Sequence, residues 1–355
     1  MSSVISTQFE SLSNEILLDI FEYLDAYQMY EAWYGLNARI NSLLHSAQLF
    51  ILHDQSMVDK NKWNWDALRS FYKSSQIRIL SCSGNVKIDK RIFTDPMENL
   101  RTIILNDMTV GSIDKVCNQI SHENQIKCLS ARAIARASGA DMTQSFSHCI
   151  LVGHSGRFLS LTHLSLKCPW YDEFPAMSVV FPQLRYLSLV NFQFSHNLLQ
   201  SLQTNMPSLR SLKFQVAYYT LIPSPVPVKH VHELSINIHA SSDTRLLIGV
   251  LSNFPCLRRL HIQSEYRPRY IILNGAICQQ LIERYLPQLK QLTIDFNPSA
   301  DEEILSTFYK SEFWLNKKVK ATMSMNPAEC RYPVIKTISV GREWRFRYFG
   351  NLQHT

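Results

Sequence analysis

Phe181-Pro-Gln-Leu-Arg-Tyr-Leu-Ser-Leu189 decides the fold of this chain, because three other stretches repeat its pattern. They are Met206-Pro-Ser-Leu-Arg-Ser-Leu-Lys-Phe214, Phe254-Pro-Cys-Leu-Arg-Arg-Leu-His-Ile262 and Leu286-Pro-Gln-Leu-Lys-Gln-Leu-Thr-Ile294. Each sets a bulky apolar residue before proline, a leucine two residues later, a base, and then Leu-x-apolar. Looser copies are Leu100-Arg-Thr-Ile-Ile-Leu105, Ile126-Lys-Cys-Leu129, Leu161-Thr-His-Leu-Ser-Leu166 and Val231-His-Glu-Leu-Ser-Ile236. The leading positions Leu161, Leu184, Leu209, Val231, Leu257 and Leu289 lie 22 to 32 residues apart. That period belongs to stacked repeats.

A helical apolar pattern precedes three of the clear copies: Leu198, Leu199, Leu202 and Met206; Leu246, Leu247, Val250, Leu251 and Phe254; Cys278, Leu281, Ile282, Tyr285 and Leu286. The proline that follows ends the helix, and the alternating triplet begins a strand. Each repeat is thus expected to be one helix and one strand, with the strands stacked in parallel and the helices outside. Residues 95–300 resemble a degenerate leucine-rich repeat array, which implies an α/β solenoid, a horseshoe with a parallel inner sheet. The asparagine that ladders such arrays is mostly absent or out of step, as at Asn191, and Pro223-Ser-Pro-Val-Pro227 reads as an extended loop. Strand positions between the leucines are expected on the concave face. Those expected to bind a target protein are His163, Lys167, Tyr186, Lys213, Gln215, Arg259, His261, Gln263 and Gln291. Thr102, Asn106, Ser165, Ser188, Ser211, Glu233, Ser235, Asn237, Thr293 and Asp295 share that column. The column is polar, and its bases Lys167, Lys213 and Arg259 suit an acidic or phosphorylated segment.

Residues 301–355 change rhythm. Asp301 to Tyr309 reads as a helix with acids in its first turn, followed by alternating runs at Val319–Met325, Val334–Val340 and Trp344–Phe349. They are expected to be strands that cap the solenoid. Bases and aromatics interleave at Arg342, Trp344, Arg345, Phe346, Arg347 and Tyr348, with Lys317, Lys318 and Lys320 upstream. A strand with aromatics inward and arginines outward is preferred here to a single-stranded nucleic-acid site. Residues 51–94 are read as linking elements, with a helix from Trp63 to Tyr72 and a first strand at Gln76-Ile-Arg-Ile-Leu80.

Composition narrows the function. Hydrophobic residues make up 46% and charged residues 18%, with a net charge of +7. These values are those of a folded chain, and the charge is too mild to argue for nucleic acid. None of the eight cysteines forms a Cys-x-x-Cys pair. No signal peptide and no run of ~20 apolar residues is present, so a reduced intracellular protein, cytoplasmic or nuclear and without a membrane partner, is expected. Gly153-His-Ser-Gly-Arg157 nearly spells a nucleophile elbow, but Arg157 occupies the position that needs glycine. No phosphate-cradling glycine motif, metal-ligand spacing or paired carboxylates emerge; His230 and His232 are two apart but read as solvated residues. No enzyme, cofactor or metal is expected.

The N-terminal stretch Phe9-Glu-Ser-Leu-Ser-Asn-Glu-Ile-Leu-Leu-Asp-Ile-Phe-Glu-Tyr-Leu24 is amphipathic. Ile16, Leu17, Ile20, Phe21 and Leu24 fall on one arc, Glu15, Asp19 and Glu22 opposite, and Ser13 or Ser11 can cap the first turn. In register, Leu12, Glu15, Ile16, Leu17, Ile20, Phe21, Tyr23 and Leu24 resemble the opening of the F-box, with Ser13 where that family usually has proline. Two further helical segments follow within residues 8–50. The resemblance implies a three-helix F-box ahead of the solenoid. Proteins of that design are substrate adaptors of SCF (Skp–cullin–F-box) ubiquitin ligases, serving ubiquitin-dependent protein degradation. It implies that the Skp linker subunit is contacted by Leu12, Ser13, Ile16, Leu17, Ile20, Phe21, Leu24, Trp33, Leu36 and Ile40. Some of these must form the helical core instead, and Leu18 and Tyr23 are candidates for the outward share. The alternatives are a leucine-rich interaction scaffold without a ligase role, and a nucleic-acid-binding protein using the basic C-terminal strands.

Overall fold

The Leu-x-apolar triplets are strands, and their leucines point to one side because successive side chains alternate across a pleated strand. The computed structural model describes residues 11–54, 72–84, 97–120, 125–134, 145–216, 225–238, 244–264, 275–296, 312–316, 319–324, 335–340 and 344–349. It is a mixed α/β chain of two units: residues 1–141 with 154–161, and residues 142–153 with 162–355.

The first unit opens with three short helices, α1 Asn14–Phe21, α2 Ala26–Trp33 and α3 Ala38–Ser46. Each starts where a polar side chain can satisfy free N–H groups. Ser13 accepts from the Ile16 amide, Asp25 from the Tyr27 and Gln28 amides, and Asn37 from the Ile40 amide. The Gln28 side chain returns a bond to the Asp25 N–H, which completes a capping box. Between α2 and α3 the chain reverses at Gly35, whose φ of 82° favours glycine. Strands β1 Leu49–Asp54, β2 Ile77–Ser83, β3 Thr102–Met108 and β4 Cys128–Ala133 pair in parallel in chain order, with α4 Val110–Gln119 joining the last two. The Gln76 side chain donates to the Leu44 and Ala47 carbonyls, both at 3.0 Å, and so ties the end of α3 to the entry of β2. β1 was not expected from the sequence. The expected helix from Trp63 lies outside the described residues.

In the second unit β5 His163–Asp172, β6 Tyr186–Phe192, β7 Ser211–Val216, β8 Glu233–Ile238, β9 Arg259–Ser264 and β10 Gln291–Phe296 form a parallel run in chain order. Helices α5 His196–Thr204, α6 Thr244–Leu251 and α7 Gly275–Tyr285 precede β7, β9 and β10, where the periodicity placed them. Register aligns the leucines into rows. Leu164, Leu187, Leu212, Leu234, Leu260 and Leu292 are neighbours on successive strands, as are Leu166, Leu189, Phe214, Ile236, Ile262 and Ile294. All are buried. The sheet continues from β10 through β13 Trp344–Phe349, β12 Ile335–Val340 and β11 Val319–Ser324, of which only β13 against β10 is parallel. Trp314, on the short helix α8 Glu312–Asn316, is buried and donates its indole N–H to the Gly275 carbonyl at 2.9 Å. The helix expected from Asp301, and the inward and outward faces expected of the C-terminal strands, lie outside what is described.

Asparagines do order the repeats, though not where the resemblance placed them. Asn205 and Asn253 each stand two residues before the repeat proline. Their carbonyls accept from the Phe181 and Val228 amides, both at 2.7 Å. The Asn205 side chain donates to the Val179 carbonyl at 3.1 Å; that of Asn253 accepts from the Val226 N–H at 2.7 Å and donates to the Gly249 carbonyl. Each therefore holds the incoming coil of the preceding repeat against a helix end. Asn253 is 1% exposed, so Asn253→Ala leaves buried backbone groups unpaired. It is expected to lower stability by about 1–3 kcal/mol in chemical denaturation.

Asn191 has another task. It and Asp107 occupy the same position near the end of β6 and β3, at φ of 64° and 54°. Both coincide with register shifts that turn Phe192 and Met108 back into the core. The Asn191 amide donates to the Cys168 carbonyl at 2.7 Å.

The cysteines among the described residues are all free. Burial pushes the Cys82 and Cys278 thiols up to about 12, and burial with the nearby Asp172 carboxylate raises Cys168 further. Thiolate is the reactive form. Brief alkylation of the native chain near neutral pH should therefore mark the half-buried Cys128 and Cys256 and spare these three, as read by peptide mass mapping.

Candidate interaction surfaces

In the first unit, the apolar arc of α1 is divided by packing. Leu17 and Phe21 are buried with Met29, Ile40 and Leu44, and Phe21 meets Trp33 edge to face at 5.4 Å. Of the residues expected to contact the linker, Leu17, Phe21 and Ile40 are therefore core in this chain. Leu12, Ile20, Leu24 and Trp33 are half-buried, and Ser13 is exposed and occupied as a cap. Ile16 is 47% and Leu36 56% exposed. Arg39, at the start of α3, donates to the Asn14 side chain at 2.9 Å and to the Leu12 carbonyl. This draws the entries of α1 and α3 together and puts Ile16 and Leu36 at the same end of the helical group.

Tyr34, stacked on Tyr30 at 5.1 Å, is 49% exposed at that turn and was missed from the sequence. Its signal was position: it falls just after the α2 periodicity ends, directly before Gly35. Tyr23, expected outward, is 88% exposed, and Leu18 is half-buried. Glu15 stays ionised to lower pH than usual because its own backbone N–H and Ser13 hydrogen-bond to it.

In the second unit, the outward positions of the parallel strands form rows of their own. One runs His163, Tyr186, Ser211, Glu233, Arg259, Gln291; the next runs Ser165, Ser188, Lys213, Ser235, His261, Thr293. The strand pairing thus brings most of the expected target-binding residues onto one face. His163, Lys167, Tyr186, Lys213 and Arg259 are exposed, and His261, Gln263 and Gln291 are half-buried. Gln215, in register with Asn237 and Gln263, is buried. In the first unit the corresponding rows are mixed, running Ile79, Thr102, Cys128 and Ser81, Ile104, Ser130, with Asn106 beside Ser83.

Its chemistry differs along the rows. His163 stacks on Tyr186 with centroids 4.3 Å apart. Arg259 is engaged by Glu233, which removes one of the three expected bases as a free cation. Ser235 lies 3.4 Å from the His261 ring nitrogen. A depression of about 320 Å³ sits here, its lining including Ser211, Ser235, Arg259, His261 and Gln291. Hydroxyls, an imidazole and amides can hydrogen-bond a polar segment.

The near-elbow at residues 153–157 is not an elbow. Ser155 is buried at the start of a short turn, Ser155–Arg157, and His154 is engaged by Asp114 at 2.9 Å. His230, read as solvated, is half-buried; burial lowers its pKa, with Arg210 and His232 adding to the effect and backbone hydrogen bonds opposing it. Among the described residues no helix is long and apolar enough to cross a membrane. No protein-family model matches the chain, and no curated protein matches it either.

Proposed function

We propose that this chain is a substrate-recognition adaptor of an SCF-type ubiquitin ligase, with helices α1–α3 docking on the Skp linker subunit and the polar sheet face of the second unit holding the target protein. The observation that carries the reading is the exposure of Ile16 on α1 and of Tyr34 and Leu36 in the turn between α2 and α3, in a helical group whose core is already filled by Leu17, Phe21, Met29, Ile40 and Leu44. Large apolar side chains left outside a filled core fit a protein interface, where a few such anchors carry most of the energy. The in-register F-box-like pattern along α1, which includes Ile16, supports the identity of the partner.

Under this reading the chain performs no chemistry. It raises the local concentration of a bound target near a ubiquitin-loaded enzyme held elsewhere in the complex. The test is co-purification of the full chain with the Skp linker. Capture is the expected result; no capture by the unaltered chain removes the adaptor and leaves an interaction scaffold.

A further inference from the structure

The base that recurs in each repeat, directly before the first outward strand residue, has so far no role. In the second unit these residues are Arg185, Arg210, His232, Arg258 and Lys290. They are spatial neighbours, because each donates its backbone N–H to the carbonyl of the one before at 2.8–2.9 Å, beginning from Thr162. Parallel pairing thus gathers residues scattered over more than a hundred positions into one ladder at the N-terminal ends of the strands. From this geometry we infer that the ladder is a docking strip for an acidic polypeptide segment. The inference rests on reading the second unit as the target-holding half.

Charge is segregated along these strands. All four Arg and Lys side chains of the ladder are exposed, and none is in an ion pair among the described residues. Among the described residues of these strands, Glu233 is the carboxylate in the row beside the ladder, and Arg259 already engages it. Asp295 stands five residues beyond Lys290, roughly 16 Å along an extended strand, twice the Debye length of about 8 Å at physiological ionic strength. Asp172 is further still from its own strand entry. Among the described residues, no ion pair compensates these cations at this end of the strands.

The dimensions suit an extended peptide crossing the strands. Four steps of about 4.8 Å make a strip of roughly 19 Å, the span of about six extended residues. Alternate side chains of such a peptide face the strip, and guanidinium groups take carboxylates through paired N–H donors. Nucleic acid fits less well, since single-strand binding wants aromatic platforms repeated along the groove. The row beside the ladder offers one exposed aromatic, Tyr186, already stacked on His163, and it carries Glu233.

The experiment uses the full chain and a fluorescein-labelled peptide with six consecutive glutamates, followed by anisotropy, against the same peptide with glutamines. Binding of the acidic peptide alone is expected, weakening as salt is raised. Arg185→Glu with Arg258→Glu should weaken it at least about tenfold. Arg185→Gln with Arg258→Gln should weaken it less, and Lys73→Glu with Lys115→Glu, an equal change in net charge elsewhere, should leave it within about twofold. Equal loss with that control, no preference for glutamate, or tighter binding of an oligouridylate than of the peptide would each overturn the proposal. Linker capture is measured on the same proteins. Acidic-peptide binding without linker capture retires the adaptor and keeps the ladder; linker capture without acidic-peptide binding retires the ladder alone.

Discussion

Phe214→Ala is expected to lower the stability of the second unit by about 3–5 kcal/mol, the range for truncating a fully buried phenylalanine. Phe214 is buried in β7, between Leu189 and Ile236 in the same row of the sheet, and stacks on Phe194 with centroids 5.3 Å apart. Its removal forfeits both the burial of the ring and the aromatic pair, in an interior that relaxes only partly to fill the space. At roughly 2–4 °C per kcal/mol for a unit of this size, the melting temperature should fall by about 6–20 °C. Tyr186→Ala, on the exposed face of the neighbouring strand, is the control and should shift it by no more than about 2 °C. Because stacked repeats lean on their nearest neighbours, hydrogen exchange should quicken first in β6, β7 and β8. A melting-temperature loss no larger than that of Tyr186→Ala would contradict the row packing on which the fold is argued.

The second large effect concerns binding. Ile16→Asp and Leu36→Asp, singly, are expected to weaken capture of the Skp linker at least thirtyfold, corresponding to about 2 kcal/mol or more for an interface anchor. Both positions are about half exposed in the free chain, so the melting temperature should hold within the small range of surface substitutions. That split between lost binding and kept stability is the informative result. Phe21→Ala would not give it, because Phe21 is buried against Trp33 and its truncation is expected to destabilise the helices along with any interface. Capture undiminished by either aspartate would place the docking surface elsewhere or end the proposal.

The ladder of bases shows how much of a surface a linear reading leaves hidden. Arg185, Arg210, Arg258 and Lys290 were visible as a recurring letter within each repeat. Their adjacency was not, since it comes from backbone pairing between strands more than twenty residues apart. Arg259 shows the reverse case: read as a free cation, it is engaged by Glu233, a residue on the next strand. Gln215 shared the polar column in sequence and is buried in the fold.

What the amino-acid sequence determined by itself is the rhythm. Period-two leucines, helical spacing ahead of proline, and capping serine, aspartate and asparagine are local preferences, set by backbone sterics and side-chain alternation within a few residues. They placed α5, α6, α7 and the parallel strands of the second unit, and they marked α1. Tertiary structure alone decided which apolar residues of α1 became core, where Asn205 and Asn253 clamp the incoming coils, and which charges stand together or cancel. Those outcomes depend on distances between residues remote in the chain, and no local preference encodes such a distance until the strands have paired.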